Sequence, residues 1–505
     1  MKRFRKAENI FPVADDDVAR SFTRAVARSS AGGSLMDMLA RHYVDKLMPV
    51  DFVGCGTLRW ATMCSGSEIT HYATEFLENF IRETGRDITL VQVFASESNH
   101  HKRDWIKSVV KKSLCIFNDC SHCHRSHAAC SQHDRLCSIV GCDVLVMGFS
   151  CKDLSRQNTS RSNNQRVLAE ETSRGASATT FNACLGYVDV HHPAILIIEN
   201  VDALADDDGD GGNLDILFSE FGNRGYEVQP IMVNATEWGL SHRRRRLWFF
   251  IVFTSSPLLR LSFRSGGVQA TLSKFVAIFE RTKAAPLDVY NVLLPNDHPL
   301  VEAHLAFLIT HHADSRDLKE SGWTEAHMTE YSAAGARWGQ PRCSDGDSSS
   351  AWYPFLTDRE RDILALKSWL CPEKTLLDLS QSISRVPMSS FKDVDGQQVE
   401  MAPCLLPGMK LWSTRLHRLV TGFEAIKLQG FPVDLSPAPS LSTDSLMKDL
   451  AGNSFSGTVV LAFIASFIFA IDWSCDPEHS EPCTSSADVE AALSWLPKLK
   501  RQKPQ

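Results

Sequence analysis

A thiol, a carboxyl group and a run of guanidinium groups stand where this sequence could carry covalent chemistry. Cys151 closes the segment GFSC and opens a polar loop, KDLSRQNTSRSNNQ. A cysteine released at the end of an apolar strand is a candidate nucleophile, because the thiolate is the reactive form and needs access. The competing reading is a small buried hydrophobe. Glu199 ends the apolar run AILII and begins the triplet ENV. A carboxyl group emerging from such a run is partly desolvated, which raises its pKa; the plainer alternative is a helix cap or a structural ion pair. The segment SHRRRR, residues 241–246, feeds four arginines into the strand LWFFIVF. Side chains alternate along a strand, so Arg244 and Arg246 share one face and Arg243 and Arg245 the other. A charge run is ordinarily a solvated face, but four arginines entering an apolar strand are hard to place on one.

A second group of residues has the pattern of a nucleoside site. The turn CSGSE, Cys64–Glu68, follows the first β-rich run and contains Gly66; Glu97 follows the second run and Asp119 the third. A tight turn, then an acid about 30 residues on, lets backbone approach the ligand while the carboxylate takes the ribose hydroxyls. Ordinary turn and surface residues would look the same, so these positions alone leave the matter open.

Two clusters imitate metal sites. Residues 115–142 hold six Cys and four His, and Cys120-x2-Cys123-x6-Cys130-x2-His133 has a spacing compatible with zinc. The plainer expectation is a reduced, thiol-rich connection without metal. DDDGDGG, residues 206–212, resembles a calcium loop, but its twelfth position is Leu217 where a bidentate Glu is needed. It reads as a solvated acidic loop.

The elements that must position these groups follow an alternating rhythm. Between residues 56 and 255 short β-rich runs (LRWATMC, TLVQVFASE, CDVLVMGFS, AILIIENV, RLWFFIVF) alternate with helical stretches. That rhythm predicts an α/β domain on a mostly parallel sheet, and such sheets bind ligands at the carboxyl ends of their strands. Residues 1–55 read as a helical leader, 256–411 as a smaller inserted domain, 412–473 as the final part of the α/β domain and 474–505 as a polar tail. The most apolar run, residues 458–471, is short for a bilayer span and suits a buried helix. The net charge of −7 excludes a packaging protein of the basic kind while permitting a local basic groove. The 15 Cys follow a start, MKRFRKAENIFPVADDD, without an apolar run, so the thiols are expected to be reduced.

Taken in order, the pieces resemble the cytosine-C5 DNA methyltransferase family over about residues 56–255 and 413–470. GFSC resembles the family's catalytic Pro-Cys motif, Glu199-Asn200-Val201 its ENV triplet, Ser173-Arg174-Gly175 its short Arg-Gly motif, and His242, Arg244 and Arg246 its Gln-x-Arg-x-Arg motif. RLVTGFEAIKLQGFP, with Glu424, Leu428, Gln429, Phe431 and Pro432, is similar to the ninth motif, and AGNSFSGTVV to the last. The departures are Ser150 for Pro, Lys152 for Gln, Ser98 for an aromatic, His242 for Gln, and Glu68 and Ile69 where glycines are common.

The resemblance implies a Rossmann-like S-adenosylmethionine-dependent methyltransferase sheet with a smaller inserted target-recognition domain. It implies Cys151 as nucleophile towards cytosine C6, Glu199 as the acid at N3, and Arg246 with Arg244 at O2, lowering the thiol pKa. For S-adenosylmethionine it implies Cys64 and Gly66 in the turn, Glu97 on the ribose, Asp119 on the adenine, and Asn453 and Ser454 on the far wall. The loop with Ser155, Arg156 and Arg161 would close over a flipped base. DNA is the expected partner. Rival expectations are an RNA (tRNA) cytosine-C5 methyltransferase and a non-catalytic chromatin-binding scaffold. No membrane is expected as partner. A nuclear location is expected if the source is eukaryotic, with the basic KLKRQK near the C-terminus as a weak import signal.

Overall fold

The computed structural model describes residues 34–52, 54–110, 113–158, 166–169, 175–206, 211–311, 322–432 and 443–473. Arg161, Ser173, Arg174, most of the acidic run after the ENV triplet and the basic C-terminal segment lie outside the described residues.

Nine strands form one sheet. They are β1 (Gly54–Met63), β2 (Asp87–Ser96), β3 (Cys115–Phe117), β4 (His127–Cys130), β5 (Arg135–Ser138), β6 (Val144–Met147), β7 (Ile195–Val201), β8 (Tyr226–Asn234) and β9 (Arg245–Phe253), in the order β5-β4-β3-β2-β1-β6-β7-β9-β8. The five central strands from β3 to β7 are parallel, and antiparallel hairpins flank them on both sides. The chain winds outward from β1 through β2 to β3, then returns to the other side of β1 as β6. The point of reversal between β1 and β6 opens a crevice at the carboxyl ends of the strands.

Strict alternation of apolar residues divides the sheet into two faces. Val144 and Val146, Ile195 and Ile197, and Trp248 and Phe250 pack on one face; Leu145 and Met147, Leu196 and Ile198, and Leu247 and Phe249 pack on the other. The first face is covered by α1 (Leu35–Leu47), α2 (Ile69–Glu83) and α3 (His100–Val109), the second by α4 (Ala176–His191) and α5 (Asn213–Asn223). The first face also holds α6 (Arg260–Arg281), whose Phe275 stacks on Phe250 at 3.8 Å between ring centres. This helix bends at Gly267, which takes φ 80°.

A second apolar cluster gathers residues between Leu294 and Leu419. It contains α7 (Pro299–His311), α8 (Trp323–Ala333), the short α9 (Asp345–Ser348) and α10 (Asp358–Leu370). Beside them lie a three-stranded sheet of β10 (Leu376–Asp378), β13 (Leu411–Ser413) and β14 (Arg418–Leu419), and a hairpin of β11 (Ser390–Val394) and β12 (Gln397–Met401).

The chain then returns to the first face through α11 (Gly422–Leu428), α12 (Asp444–Asn453) and α13 (Gly457–Ala470). A reciprocal cap starts α11: Glu424 N donates to Thr421 Oγ1, and Thr421 N donates to a Glu424 carboxylate oxygen. Every residue of α13 is buried, with Phe463 packed on Trp248, Phe275 and Phe279. The apolar run near the end of the sequence is thus a core helix. Among the described residues no single helix is long and apolar enough to cross a membrane.

Candidate active site

The carboxyl ends of β6 and β7 and the amino end of the antiparallel β9 bring Cys151, Glu199 and Arg246 together. Glu199 lies opposite Trp248 in the β7–β9 ladder, and Arg246 lies opposite Val201. Residues two apart share a face, so Arg246 sits diagonally beside Glu199. Its Nε is 3.2 Å from Glu199 Oε1. The contact is an ion pair without hydrogen-bond alignment, so Oε1 is buried and has no hydrogen-bond partner among the described residues. Burial pushes the Glu199 carboxyl up, and Arg246 and Arg244 oppose that shift.

The segment holding Cys151 is tied down on both sides. Asn200 Nδ2 donates to Phe149 O at 2.9 Å, from the strand that carries Glu199. Ser150 N donates to Thr180 Oγ1. Ser177 N donates to Asp153 Oδ2 at 2.8 Å, and Asp153 N donates back to Ser177 Oγ, which anchors the loop on the first turn of α4. Gly148 must lack a side chain, because a Cβ there would lie 2.7 Å from the Phe455 ring. Burial and the Glu199 charge push the Cys151 thiol up, while Arg246 and Arg244 pull it down. The two arginines act on the thiol in the expected direction, and desolvation outweighs them in the resting site.

The four arginines divide as strand alternation requires, with Arg244 buried and Arg243 and Arg245 exposed. Arg244, expected beside Arg246 at O2, spends its guanidinium on backbone carbonyls. Its Nη atoms donate to the carbonyls of Leu405, Gly452 and Ser454, so it clamps three chain segments together. Arg246 remains beside Glu199. His242 is fully buried, and burial pushes its imidazole down to about 3, so the ring is neutral. Arg156 in the loop after Cys151 pairs with Asp202 at 3.0 Å and also with Asp206. The acidic loop is therefore engaged at Asp206.

The nucleoside residues gather at the ends of β1, β2 and β3. Cys64, Gly66 and Glu68 all take left-handed backbone, with φ 55°, 55° and 57°. Gly66 N donates to Glu97 Oε2 at 3.0 Å, and Asn99 N donates to Glu97 Oε1. Each carboxylate oxygen keeps a further lone pair for a ligand hydroxyl. Asp119 accepts from Ser121 N; burial raises its carboxyl, but the Ser121 hydrogen bonds win and hold it below its ordinary value. Ser67 and Ser454 share a hydrogen bond at 2.6 Å, which places the final motif against the first turn. Asn453 faces Asp449, to which its Nδ2 donates. A crevice with backbone at one side and two acids at the next strand ends fits a cationic nucleoside such as S-adenosylmethionine.

The family profile described as C-5 cytosine-specific DNA methylase matches residues 104–468. The chain belongs to this family. Among curated relatives, it is 27% identical over 462 residues to the DNA (cytosine-5-)-methyltransferase DMT5 of Cryptococcus neoformans, covering 86% of this chain. It spans only 18% of that protein's length. It is 31% identical over 110 residues to the Type II methyltransferase M.Sau3AI of Staphylococcus aureus, which covers 21% of this chain and 25% of that one. Among solved structures, the S. pombe Dnmt2 methyltransferase aligns over 81% of this chain and 98% of its own, with 14% identity and a TM-score of 0.40.

Three residues of this methylase-family site were not singled out from sequence. Phe455 fills the space over Gly148 and packs on Trp248. Asp153 binds the start of α4. Cys404 brings a second thiol to the Arg246 guanidinium from the segment after β12. Asp153 had a readable signal, since the N-terminus of a helix attracts a carboxylate. Cys404 had none, because only the fold brings it near.

The four residues whose spacing is compatible with zinc do not come together as a set. Cys120 Sγ lies 3.9 Å from Cys64 Sγ, and Cys123 is buried under the sheet with its thiol on Asp119 O. Only Cys130 and His133 of that set are neighbours, and they meet Cys115 and Cys137 instead.

Proposed function

We propose that this chain methylates C5 of cytosine in DNA, with Cys151 as the nucleophile and Glu199 as its partner acid. The single observation that carries the reading is the Glu199 oxygen: buried, beside Arg246, without a hydrogen-bond partner among the described residues, at the strand end next to the one bearing Cys151. A buried polar atom left without a partner is costly unless a ligand completes it. A cytosine ring bound there presents N3 and the exocyclic amine to that carboxyl group.

In the proposed reaction the Cys151 thiolate forms a bond to C6 and electron density moves through the ring towards N3. A protonated Glu199 donates there, and its raised pKa keeps the proton available. Arg246 holds Glu199 and offers its charge to the cytosine O2. S-adenosylmethionine, held by Gly66, Glu97, Asp119 and Ser454, supplies an electrophilic methyl group. C5 would take that methyl group as the donor leaves as its neutral thioether; loss of the C5 proton to solvent then re-forms the ring double bond and expels the thiolate, and N3 returns its proton to Glu199. Cytosine in a duplex is stacked, so the base must leave the helix to meet Cys151. The cluster between Leu294 and Leu419 is proposed as the target-recognition part, since Arg243, next to the strand bearing Arg246, donates Nη2 at 3.3 Å to the carbonyl of Met388, which packs against that cluster. In a eukaryotic cell the site of action would be the nucleus.

Incubation with S-adenosylmethionine and duplex DNA containing 5-fluorocytosine tests the proposal. A covalent adduct that is absent in Cys151→Ser is expected. Adduct formation on the matching transfer RNA but not on DNA would move the substrate to RNA. Donor binding with no adduct on either would mean a scaffold without chemistry.

A further inference from the structure

Three cysteines and a histidine form a closed cluster at the far edge of the sheet, away from Cys151. His133 Nδ1 lies 3.4 Å from Cys130 Sγ, 3.5 Å from Cys137 Sγ and 3.6 Å from Cys115 Sγ. All four ligand atoms fall within 4.8 Å of one another. Tetrahedral zinc with ordinary bond lengths places sulfur and nitrogen ligands about 3.6 Å apart and two sulfurs about 3.8 Å apart. The observed separations fit that figure at each of the three sulfurs. Hydrogen bonding does not account for them, because one ring nitrogen carries at most one proton and serves one acceptor well. We propose that Cys115, Cys130, His133 and Cys137 bind one structural zinc ion.

The local fold supports the assignment. Cys115 begins β3, Cys130 ends β4, His133 lies in the turn and Cys137 lies on β5. The turn passes through Asp134 in the left-handed region, with φ 49°. The amide of Ile116 donates to Cys130 Sγ at 3.3 Å, a contact that stabilises a thiolate. β3 and β4 share one ladder pair, Phe117 with Cys130. Most of the β4–β5 hairpin is exposed, including Leu136 at 61%. Such a hairpin buries too little apolar surface to hold itself against the sheet, and a metal tie supplies what the small core cannot. Three thiols with one imidazole and no open position match a structural rather than a catalytic zinc site. Binding releases the thiol protons to solvent, with no change of oxidation state. The ion would brace β3, whose end carries Asp119.

Metal analysis of the whole chain, made without a polyhistidine tag and in zinc-supplemented medium, tests this. About one zinc per chain is expected, falling several-fold in Cys130→Ser and in Cys137→Ser. Cys120→Ser and Cys123→Ser should keep the metal. Should the first two variants fail to fold, titration of the wild-type chain with a mercurial decides, with a chromogenic chelator reading the zinc released as thiols are blocked. Cobalt loading adds a signature: intense tetrahedral d–d bands with thiolate charge transfer, altered but present in Cys137→His. Wild-type protein without zinc, a disulfide between any two of these cysteines, or zinc lost from Cys120→Ser but kept in Cys137→Ser would overturn the assignment. None of these results bears on the Cys151 adduct, so the two readings fail separately.

Discussion

Cys151 and Glu199 need opposite protonation states, and burial pushes the pKa of both upward. The thiolate therefore becomes abundant only on the alkaline side of the usual thiol range, while the acid form of Glu199 persists to higher pH than an ordinary carboxyl would. The productive pairing of acid and thiolate is therefore a minority state, so turnover should rise with pH, level off where Glu199 loses its proton, and fall where the Cys151 thiol itself ionises. Glu199→Gln keeps the shape but not the acid, and is expected to reduce methyl transfer by about 100-fold or more, read by tritium incorporation into DNA. A flat response to that change would remove Glu199 from the chemistry.

Glu68 allows a test on stability at the same scale. Its side chain is buried and accepts from Thr62 and Gln92, and burial raises it to about 7. The folded chain therefore keeps a proton that the unfolded chain loses near pH 4.5. Any stability tied to this group is fully present below the unfolded value, declines as pH rises towards about 7, and levels off above it. Glu68→Gln should remove that decline and stabilise the protein at pH 8 by on the order of 2 kcal/mol relative to pH 5. Urea midpoints at the two pH values measure it; an unchanged difference would place the charge in a solvated site.

At the scale of elements, Arg244 is the joint between β9, the segment after β12 and the end of α12. The same closeness shows at Gly452, where a Cβ would meet the Pro407 backbone nitrogen at 2.1 Å. Gly452→Ala should therefore separate the two segments and weaken S-adenosylmethionine binding, measured by calorimetry, more than it slows transfer at saturating donor. The central strands were legible because alternating apolar residues on both faces leave a strong period of two. β8 escaped notice because Pro230 interrupts its pattern, a residue tolerated there because the strand is at the edge. The β4–β5 hairpin was invisible because its strands are short and mostly exposed. α6 falls within residues 256–411, where the alternating rhythm is lost and an insertion is expected, yet beyond its bend at Gly267 it delivers Phe275 to the main core. The grouping of Cys115 with Cys130, His133 and Cys137 was not legible, because sequence spacing favours nearby cysteine pairs, whereas the hairpin brings in Cys115 from the neighbouring strand.

Across the whole molecule, one buried ion pair joins the two apolar clusters. Arg418 and Glu424 meet at 2.7 Å with both side chains fully buried. Arg418 also donates to Leu294 O and Asn296 Oδ1, and Leu294 N donates to Glu424. Removing one partner leaves the other charge buried and alone. Glu424→Gln should cost about 3 kcal/mol or more, seen as a lower denaturation midpoint. An unchanged midpoint would mean that the clusters hold together without it.

The hydroxyls of Ser67 and Ser454 touch although 387 positions separate them. A ribosome producing this chain therefore releases the front wall of the donor crevice long before the back wall exists. During that interval the core helix α13 is also missing, so the growing polypeptide cannot retain the donor, and the activity proposed for the site arrives only with the last helices. Two separately expressed pieces, divided between residues 432 and 443, should regain donor binding when mixed, and neither should have it alone.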